Sequence, residues 1–595
     1  MSSYAAPLTE IRFALAQLGG MMEIAALPGL EEATPDLVDA VLDEAARLAA
    51  EVLAPLSQVG DRQGCRLADG AVWTPDGWSA AYRRFAEGGW NGLPFDPAYG
   101  GQGLPWLLAA AVQEIWHGAN AAFALCPLLN QGAIDAITHH GSAEQKAIYL
   151  PPLIAGRWTG TMNLTEPQAG SDVGAVRTRA ASEPDGSYRI TGQKMFITYA
   201  EHDMAENIVH LVLARTPGAP SGVKGVSLFI VPKFIPRPDG SLGNRNDVRV
   251  VSLEHKMGIK GSPTGSVAFG DAGGAVGWLV GQENKGLAHM FTMMNNARLG
   301  VGLQGVAVAE RAYQQARDYA RQRIQSRALG SRDPEPVAII RHPDVRRMLM
   351  TMRAATEAAR GLAYFTAGLL DLARRHPELS VRDARQALVD LLIPVVKGWC
   401  TEQASVVASL GIQVHGGMGY IEETGAAQHL RDVRIAEIYE GTTGIQANDL
   451  IGRKLMRDGG QCALHFIGEM GEAAAHLGGG PLARMRANLE VALDKLQSAT
   501  RWMLLRQDGD PNQWAAGAVP YLRLWGTVVG GWVMARSALA AEAALRGGDS
   551  GQRHLAAKLI TARFYCEHIL PQAPGLAAAA MAGAEAVMAL PDEDF

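Results

Sequence analysis

The sequence predicts a mainly α-helical protein with a β-domain inserted between helical segments and an additional helical domain at its C-terminus. Three observations carry that expectation. Apolar residues recur at helical spacing over 37–158, short β-branched runs replace them over 159–280, and helical spacing returns over 281–457 and 461–595. The order α, β, α, α is not the alternation that builds a doubly wound parallel sheet.

In chain order, residues 1–36 read as an N-terminal extension. The stretch "PDLVDAVLDEAARLAAEVLAPLSQ" then sets Leu37, Val38, Val41, Leu42, Ala45, Leu48 and Val52 on one stripe of an amphipathic helix. "LLAAAVQEIWHGANAAFALCPLLN" and "SAEQKAIYLPPLIAG" continue the helical domain to 158. "SYRITG", "NIVHLVLAR", "GVSLFIVP", "DVRVVSL" and "GSVAFG" are bounded by Gly, Pro, Asn and Asp and read as strands. Helix returns with "NKGLAHMFTMMNNARLGVGLQGVAVAERAYQQARDYARQR". After the break "RDGGQ" the alanine-rich remainder reads as an appendage whose apolar faces need a partner on the core.

A chain of 595 residues is too long for one core, and 48% hydrophobic with 19% charged residues is a folded composition. A formal charge of -6 and a pI near 6.2 argue against a nucleic-acid surface. Five scattered cysteines without a C-x-x-C pair read as reduced thiols. "MSSYAAPLTEIRF" lacks the basic start and apolar run of a signal peptide, and "LPWLLAAAVQEIW" is interrupted by Glu114, so no integral membrane segment is expected and the cytoplasm is the expected address.

Several motifs invite chemistry. "GVGLQG" fits the dinucleotide fingerprint G-x-G-x-x-G, but "MFTMMNNARL" before it is helical; the glycines instead suit close helix packing. "MNLTEPQAGSDVGAVRTRA" offers hydroxyls and backbone N–H groups to an oxygen-rich ligand, or is ordinary turn chemistry. "KMFIT" sets an aromatic beside a hydroxyl, able to cover a flat ring, or places a core Phe. "QVHGGMGY" lets backbone approach a phosphate, or caps a helix. His139 and His140 have no second cluster at metal-ligand spacing, and no metal site is expected. In "AEIYEGTTGIQ", Glu440 follows the apolar pair Ile438 and Tyr439 and precedes Gly441, an odd setting for a surface carboxylate.

Together "LTEPQAGSD", "KMFIT" and "QVHGGMGYIEETGAAQHLRDVRIAEIYEGTTGIQ", in an α-β-α order, resemble the acyl-CoA dehydrogenase family over about residues 37–457. "YAAPLTEIRFAL" and the helical tail resemble its large-subunit branch, which includes 3-methylmercaptopropionyl-CoA and broad-range fatty acyl-CoA dehydrogenases. The resemblance implies FAD bound without a Rossmann fold. Met162, Leu164, Thr165, Gly170 and Ser171 would border the isoalloxazine, and Phe196, Ile197 and Thr198 would cover it. Arg323, Gln325, Gln413, Gly416 and Gly417 would hold the FAD pyrophosphate and adenine from a neighbouring subunit, implying a homodimer or a dimer of dimers. Thr442 and Gly444 would add FAD contacts. Ser171, Asn295, Arg298, Tyr439 and Gly441 fall on positions that hold the acyl-CoA substrate. Two departures stand out: Asn295 replaces the family's usual Asp, and Phe196 its usual Trp.

The resemblance also makes Glu440 the base that removes the thioester α-proton while the β-hydride goes to flavin N5, giving a trans-2-enoyl-CoA. Burial beside apolar groups is the physical reason such a carboxylate is basic enough. Gly441 is expected to leave room for the acyl chain. Electrons would pass to an electron-transfer flavoprotein. Alternatives within the fold are an oxygen-using acyl-CoA oxidase and a DNA-associated alkylation-response flavoprotein. For the latter, the tail is not notably basic.

Overall fold

Thr34 caps the first amphipathic helix by accepting from the Leu37 N–H at 3.3 Å, and Pro35 opens its first turn, so the helix runs Pro35–Leu48. Its stripe buries Val38, Leu42, Ala45 and Leu48, whereas Leu37 is 36% exposed. Leu37 lies about 100° round the helix from Val38 and falls off the buried face. The computed structural model of the chain describes residues 4–548 and 551–595. The stretch before Pro35 is folded: Leu8–Gln17 and Met21–Ala25 are helices, and Ile11, Leu15 and Ile24 join the main core. A hairpin of Arg66–Ala68 and Ala71–Trp73 interrupts the helical domain. Its turn places Asp69 and Gly70 at φ 52° and 76°, the two left-handed residues that an Asp-Gly turn supplies.

The β-domain is built on a sheet of eight strands. In spatial order these are Val248–Leu253, Thr264–Phe269, Tyr188–Thr198, Ala275–Val280, Ser227–Pro232, Asn207–Ala214 and Trp158–Asn163, with Arg179–Ser182 also paired to Tyr188–Thr198. Trp158–Asn163 runs parallel to Asn207–Ala214, and the other pairs are antiparallel. Asn207–Ala214 is buried along its whole length, which is why its sequence is a nearly continuous apolar run. Val209, Leu211 and Leu213 pack toward Ala121–His140 and Ala143–Ile154, and Val212 and Ala214 toward the opposite face.

Three long helices, Gly286–Gln322, Pro343–Arg375 and Leu379–His415, form the centre of the molecule. The glycines of "GVGLQG" lie inside the first of them. A Cβ on Gly300 would meet Leu128 at 2.2 Å and one on Gly302 would meet Val396 at 2.4 Å, so they serve helix contact. Buried Arg360 ties this bundle to the helix Trp106–Ala119, donating to Glu114 at 2.7 Å and to Glu310 at 2.9 Å, while Tyr364 donates to Glu114 at 2.7 Å.

The C-terminal helices do not hang free. Ala518–Arg546 lies on the second and third long helices, and its Trp532 ring meets Phe365 at 5.0 Å and Phe466 at 5.4 Å. Arg523 makes two hydrogen bonds to the Glu402 carboxylate at 2.8 and 2.9 Å. Among the described residues this helix is the one long and apolar enough to cross a membrane, but Tyr521, Leu522, Trp525 and Val533 are fully buried in the protein.

Candidate active site

Between the short helices Ala426–Val433 and Thr443–Asp449 the chain makes an abrupt turn at Glu440 and Gly441, whose φ values are +55° and +89°. A left-handed non-glycine residue costs roughly 1–2 kcal/mol, so its neighbours have to hold it there. Gln446 donates to the Glu440 carbonyl at 3.0 Å, and Lys397, on the third long helix, donates to the Gly441 carbonyl at 2.6 Å. Gly441 is required by this geometry rather than by open space: a Cβ there would lie 2.6 Å from Gln446 Nε2. The cap of the following helix is the Thr442 hydroxyl, accepting from Ile445 at 3.3 Å, so Glu440 has no capping role.

The Glu440 side chain is deeply set but keeps some accessible surface. Burial raises its pKa from 4.5 to about 7, against the opposing pull of Arg298 and Lys397. Burial also lowers the Lys397 pKa to about 7, despite Glu440. Arg298 is buried on the first long helix and paired with Asp449 at 3.1 Å. The Tyr439 hydroxyl donates to Gln304. Asn295, one turn before Arg298, lines a cavity of about 260 Å³ with Trp106, Gln113 and Arg374, and Glu440 is not part of that wall.

A second group of expected residues gathers on the β-domain. Met162 is the second-to-last residue of the strand Trp158–Asn163 and Leu164 follows the strand, both half-buried. The Thr165 carbonyl accepts from Met195 at 2.9 Å, which brings "LTEP" against "KMFIT". That second motif lies within a strand, not beyond one. A bulge opposite Gly265 and Val267 twists Phe196 to φ +57°, leaving the residue 57% exposed, while Ile197 is buried and Thr198 pairs with Thr264. Lys194 locks the arrangement from beneath, donating to Leu164 at 3.0 Å and to Glu166 at 2.8 Å. Burial would raise the Glu166 pKa, but Lys194 and the Thr178 and Arg177 donors hold it at about 2. Gly170 and Ser171 are exposed in the turn that follows.

The third group is at the far end of the bundle. Arg323 closes the first long helix, about 37 Å along its axis from Arg298 at 1.5 Å per residue. Its guanidinium donates to Gln325 at 3.2 Å. Tyr319, one turn earlier, stacks on His415 at 4.4 Å, so Gln413, Gly416 and Gly417 share this end. These residues are exposed, and a Cβ on Gly416 or Gly417 would have nothing within 4 Å. No contact joins this group to Glu440 within one chain among the described residues.

Family comparisons cover the whole arrangement. The acyl-CoA dehydrogenase N-terminal, middle and C-terminal domains match residues 36–157, 161–272 and 284–456, and a further acetyl-CoA dehydrogenase C-terminal-like domain matches 466–591. The chain is 50% identical to 3-methylmercaptopropionyl-CoA dehydrogenase of Ruegeria pomeroyi over 96% of both chains. It belongs to the acyl-CoA dehydrogenase family. It is also 36% identical to the broad-specificity linear acyl-CoA dehydrogenase FadE5 of Mycobacterium tuberculosis, again over 96% of both. Among solved structures, Caenorhabditis elegans ACDH-11 in complex with C11-CoA shares the fold at TM-score 0.75 and 20% identity, covering 95% of this chain and 92% of that one. A chain from the structure titled electron transferring flavoprotein of Acidaminococcus fermentans matches at TM-score 0.59 and 28% identity, covering 71% of this chain and 99% of that one.

The protein is thus an acyl-CoA dehydrogenase, an oxidoreductase of an FAD-dependent family. The residues present fit that cofactor. An aromatic face is held outward from a strained bulge, a locked turn stands beside it, and open glycine backbone stands at the bundle's end. Three residues of the Glu440 surroundings escaped the sequence reading of this dehydrogenase: Lys397, Gln446 and Asp449. A signal existed for the first, because "LIPVVKGW" sets one lysine in an otherwise apolar helical run. Gln446 and Asp449 carried none, since a short polar helix reads as surface.

Proposed function

We propose that Glu440 is the base of this acyl-CoA dehydrogenase and removes the α-proton of an acyl-CoA thioester, giving a trans-2-enoyl-CoA. The observation that carries this is a carboxyl raised to about 7, set on a strained and doubly held backbone turn beside Arg298. Such a group is about half ionised at neutral pH and basic enough to accept a carbon-bound proton. Its own backbone N–H is a candidate donor to the thioester oxygen, where negative charge grows. Bound FAD supplies the acceptor for the hydride that leaves the β-carbon.

In this reading Met162, Leu164, Thr165, Gly170, Ser171, Phe196, Ile197 and Thr198 flank the isoalloxazine, Thr442 and Gly444 add further FAD contacts, and Ser171, Asn295, Arg298, Tyr439 and Gly441 hold the CoA ester. Arg323, Gln325, Gln413, Gly416 and Gly417 serve a neighbouring copy, a role supported by their distance from Glu440. Electrons pass to an electron-transfer flavoprotein, and the enzyme works in the cytoplasm. The 50% identity to the Ruegeria enzyme makes 3-methylmercaptopropionyl-CoA the first substrate to assay, beside butyryl-CoA and longer acyl-CoAs.

Glu440→Gln keeps size and hydrogen bonding but takes no proton. The variant should stay yellow and bind acyl-CoA, while anaerobic single-turnover flavin reduction falls by ~10²–10⁴. Reduction within a few-fold of the parent would remove Glu440 from the role.

A further inference from the structure

Most of what surrounds Glu440 is accounted for by the proposed reaction; two buried side chains are not. Lys397 and Gln446 are both fully buried, and their polar atoms converge on two consecutive carbonyls, those of Glu440 and Gly441. Gln446 reaches both carbonyls, at 3.0 and 3.5 Å. Lys397 stands in the otherwise apolar run "LIPVVKGW", and burying an ammonium there is costly unless it has a fixed acceptor. The carbonyls they hold belong to the two successive left-handed residues of the turn.

We propose that Lys397 and Gln446 are positioning residues that clamp the Glu440–Gly441 turn and hold the carboxylate in its working orientation. The proposal rests on Glu440 being the base. The clamp has a charged half and a neutral half, and this makes the two separable. Around Glu440 the charged neighbours are Arg298 from the first long helix and Lys397 from the third, with Tyr439 preceding it in the chain. Arg298 answers to Asp449 and Arg453, and Lys397 also to Glu437 and Glu402, so removing Lys397 leaves Arg298 as the cation that acts on the carboxylate. Losing the ammonium makes Glu440 harder to ionise and moves its titration upward; losing Gln446 leaves the charge balance untouched.

The test uses the FAD-loaded enzyme with butyryl-CoA, following anaerobic flavin reduction against pH in Lys397→Met, Lys397→Arg, Gln446→Leu and Glu440→Gln. Hydrogen exchange of the peptide spanning Glu440–Gly444 is read on the same proteins. Lys397→Met should lower the maximal rate at least tenfold and shift the pH midpoint upward. Lys397→Arg should restore the midpoint even if its rate stays low. Gln446→Leu should lower the rate with the midpoint in place, and both Lys397→Met and Gln446→Leu should exchange faster in the turn. If Lys397→Met does not fold, Gln446→Leu decides alone, because a clamp predicts a slower rate and faster exchange for it. Parent-like rates, midpoint and exchange in the clamp variants, beside a dead Glu440→Gln, overturn the clamp only. A fast Glu440→Gln overturns the assignment of the base.

Discussion

A carboxyl raised to about 7 in the folded chain, against 4.5 ordinarily, ties the proposed role of Glu440 to stability. Flavin reduction should rise with pH as Glu440 loses its proton, with a midpoint near 7. Stability moves the other way. Between the two values the folded protein keeps a proton that the unfolded chain has released, so this group's contribution is present below pH 4.5 and lost as pH rises through 7. In Glu440→Gln that loss is gone. Its unfolding free energy relative to the parent, read from melting curves, should therefore be more favourable at about pH 8 than at about pH 5, by on the order of 1–3 kcal/mol. Lys397, left without its carboxylate, pushes in the same direction. A difference between variant and parent that ignores pH would contradict the assignment of the raised pKa. Glu440 itself stood out in the sequence as a carboxylate between an apolar pair and a glycine; of the groups that hold its turn, Lys397 comes from a distant helix and Gln446, six residues on, lies in a short polar helix that reads as surface.

Among the elements, the Tyr188–Thr198 strand carries the heaviest demand, since its bulge exposes Phe196 while Lys194 stays fully buried. Lys194→Met removes one partner of a buried ion pair and leaves Glu166 charged and unpaired, a loss of about 3–5 kcal/mol. The variant should melt lower and lose flavin on dialysis, because the Leu164–Thr165 turn loses its anchor. Adding Glu166→Gln should recover much of the melting temperature but not the flavin, and flavin retained in Lys194→Met would dissociate this strand from the cofactor site. Strand legibility followed burial and length. Asn207–Ala214 and Ser227–Pro232 are buried throughout and mostly apolar and read directly, whereas Trp158–Asn163 is half polar, Arg179–Ser182 is four residues with an exposed arginine, and Ala275–Val280 sits at the expected domain limit. The bulge had no local signature, because its two-for-one register is set by the partner strand.

For the molecule as a whole, the sequence was informative about order and poor about docking. The C-terminal helices pack on the core, as their apolar faces were expected to, but the expected extension is pinned between distant parts: Glu10 accepts from Arg353 at 3.4 Å and from Lys558 of the C-terminal helix Gln552–Phe564. Periodicity shows which face of a helix is apolar but not which helix will cover it. The long separation between Arg298 and Arg323 has a genetic consequence. If each flavin is shared by two copies, a chain carrying Glu440→Gln and a chain carrying Arg323→Ala are each defective alone, but paired they assemble one intact centre from the good half of each. Co-expressing the two should restore about a quarter of the parental centres under random pairing, whereas centres built from a single chain would give no recovery beyond the two variants' own residues of activity. Two broken alleles of this gene would then support a cell that neither could support by itself.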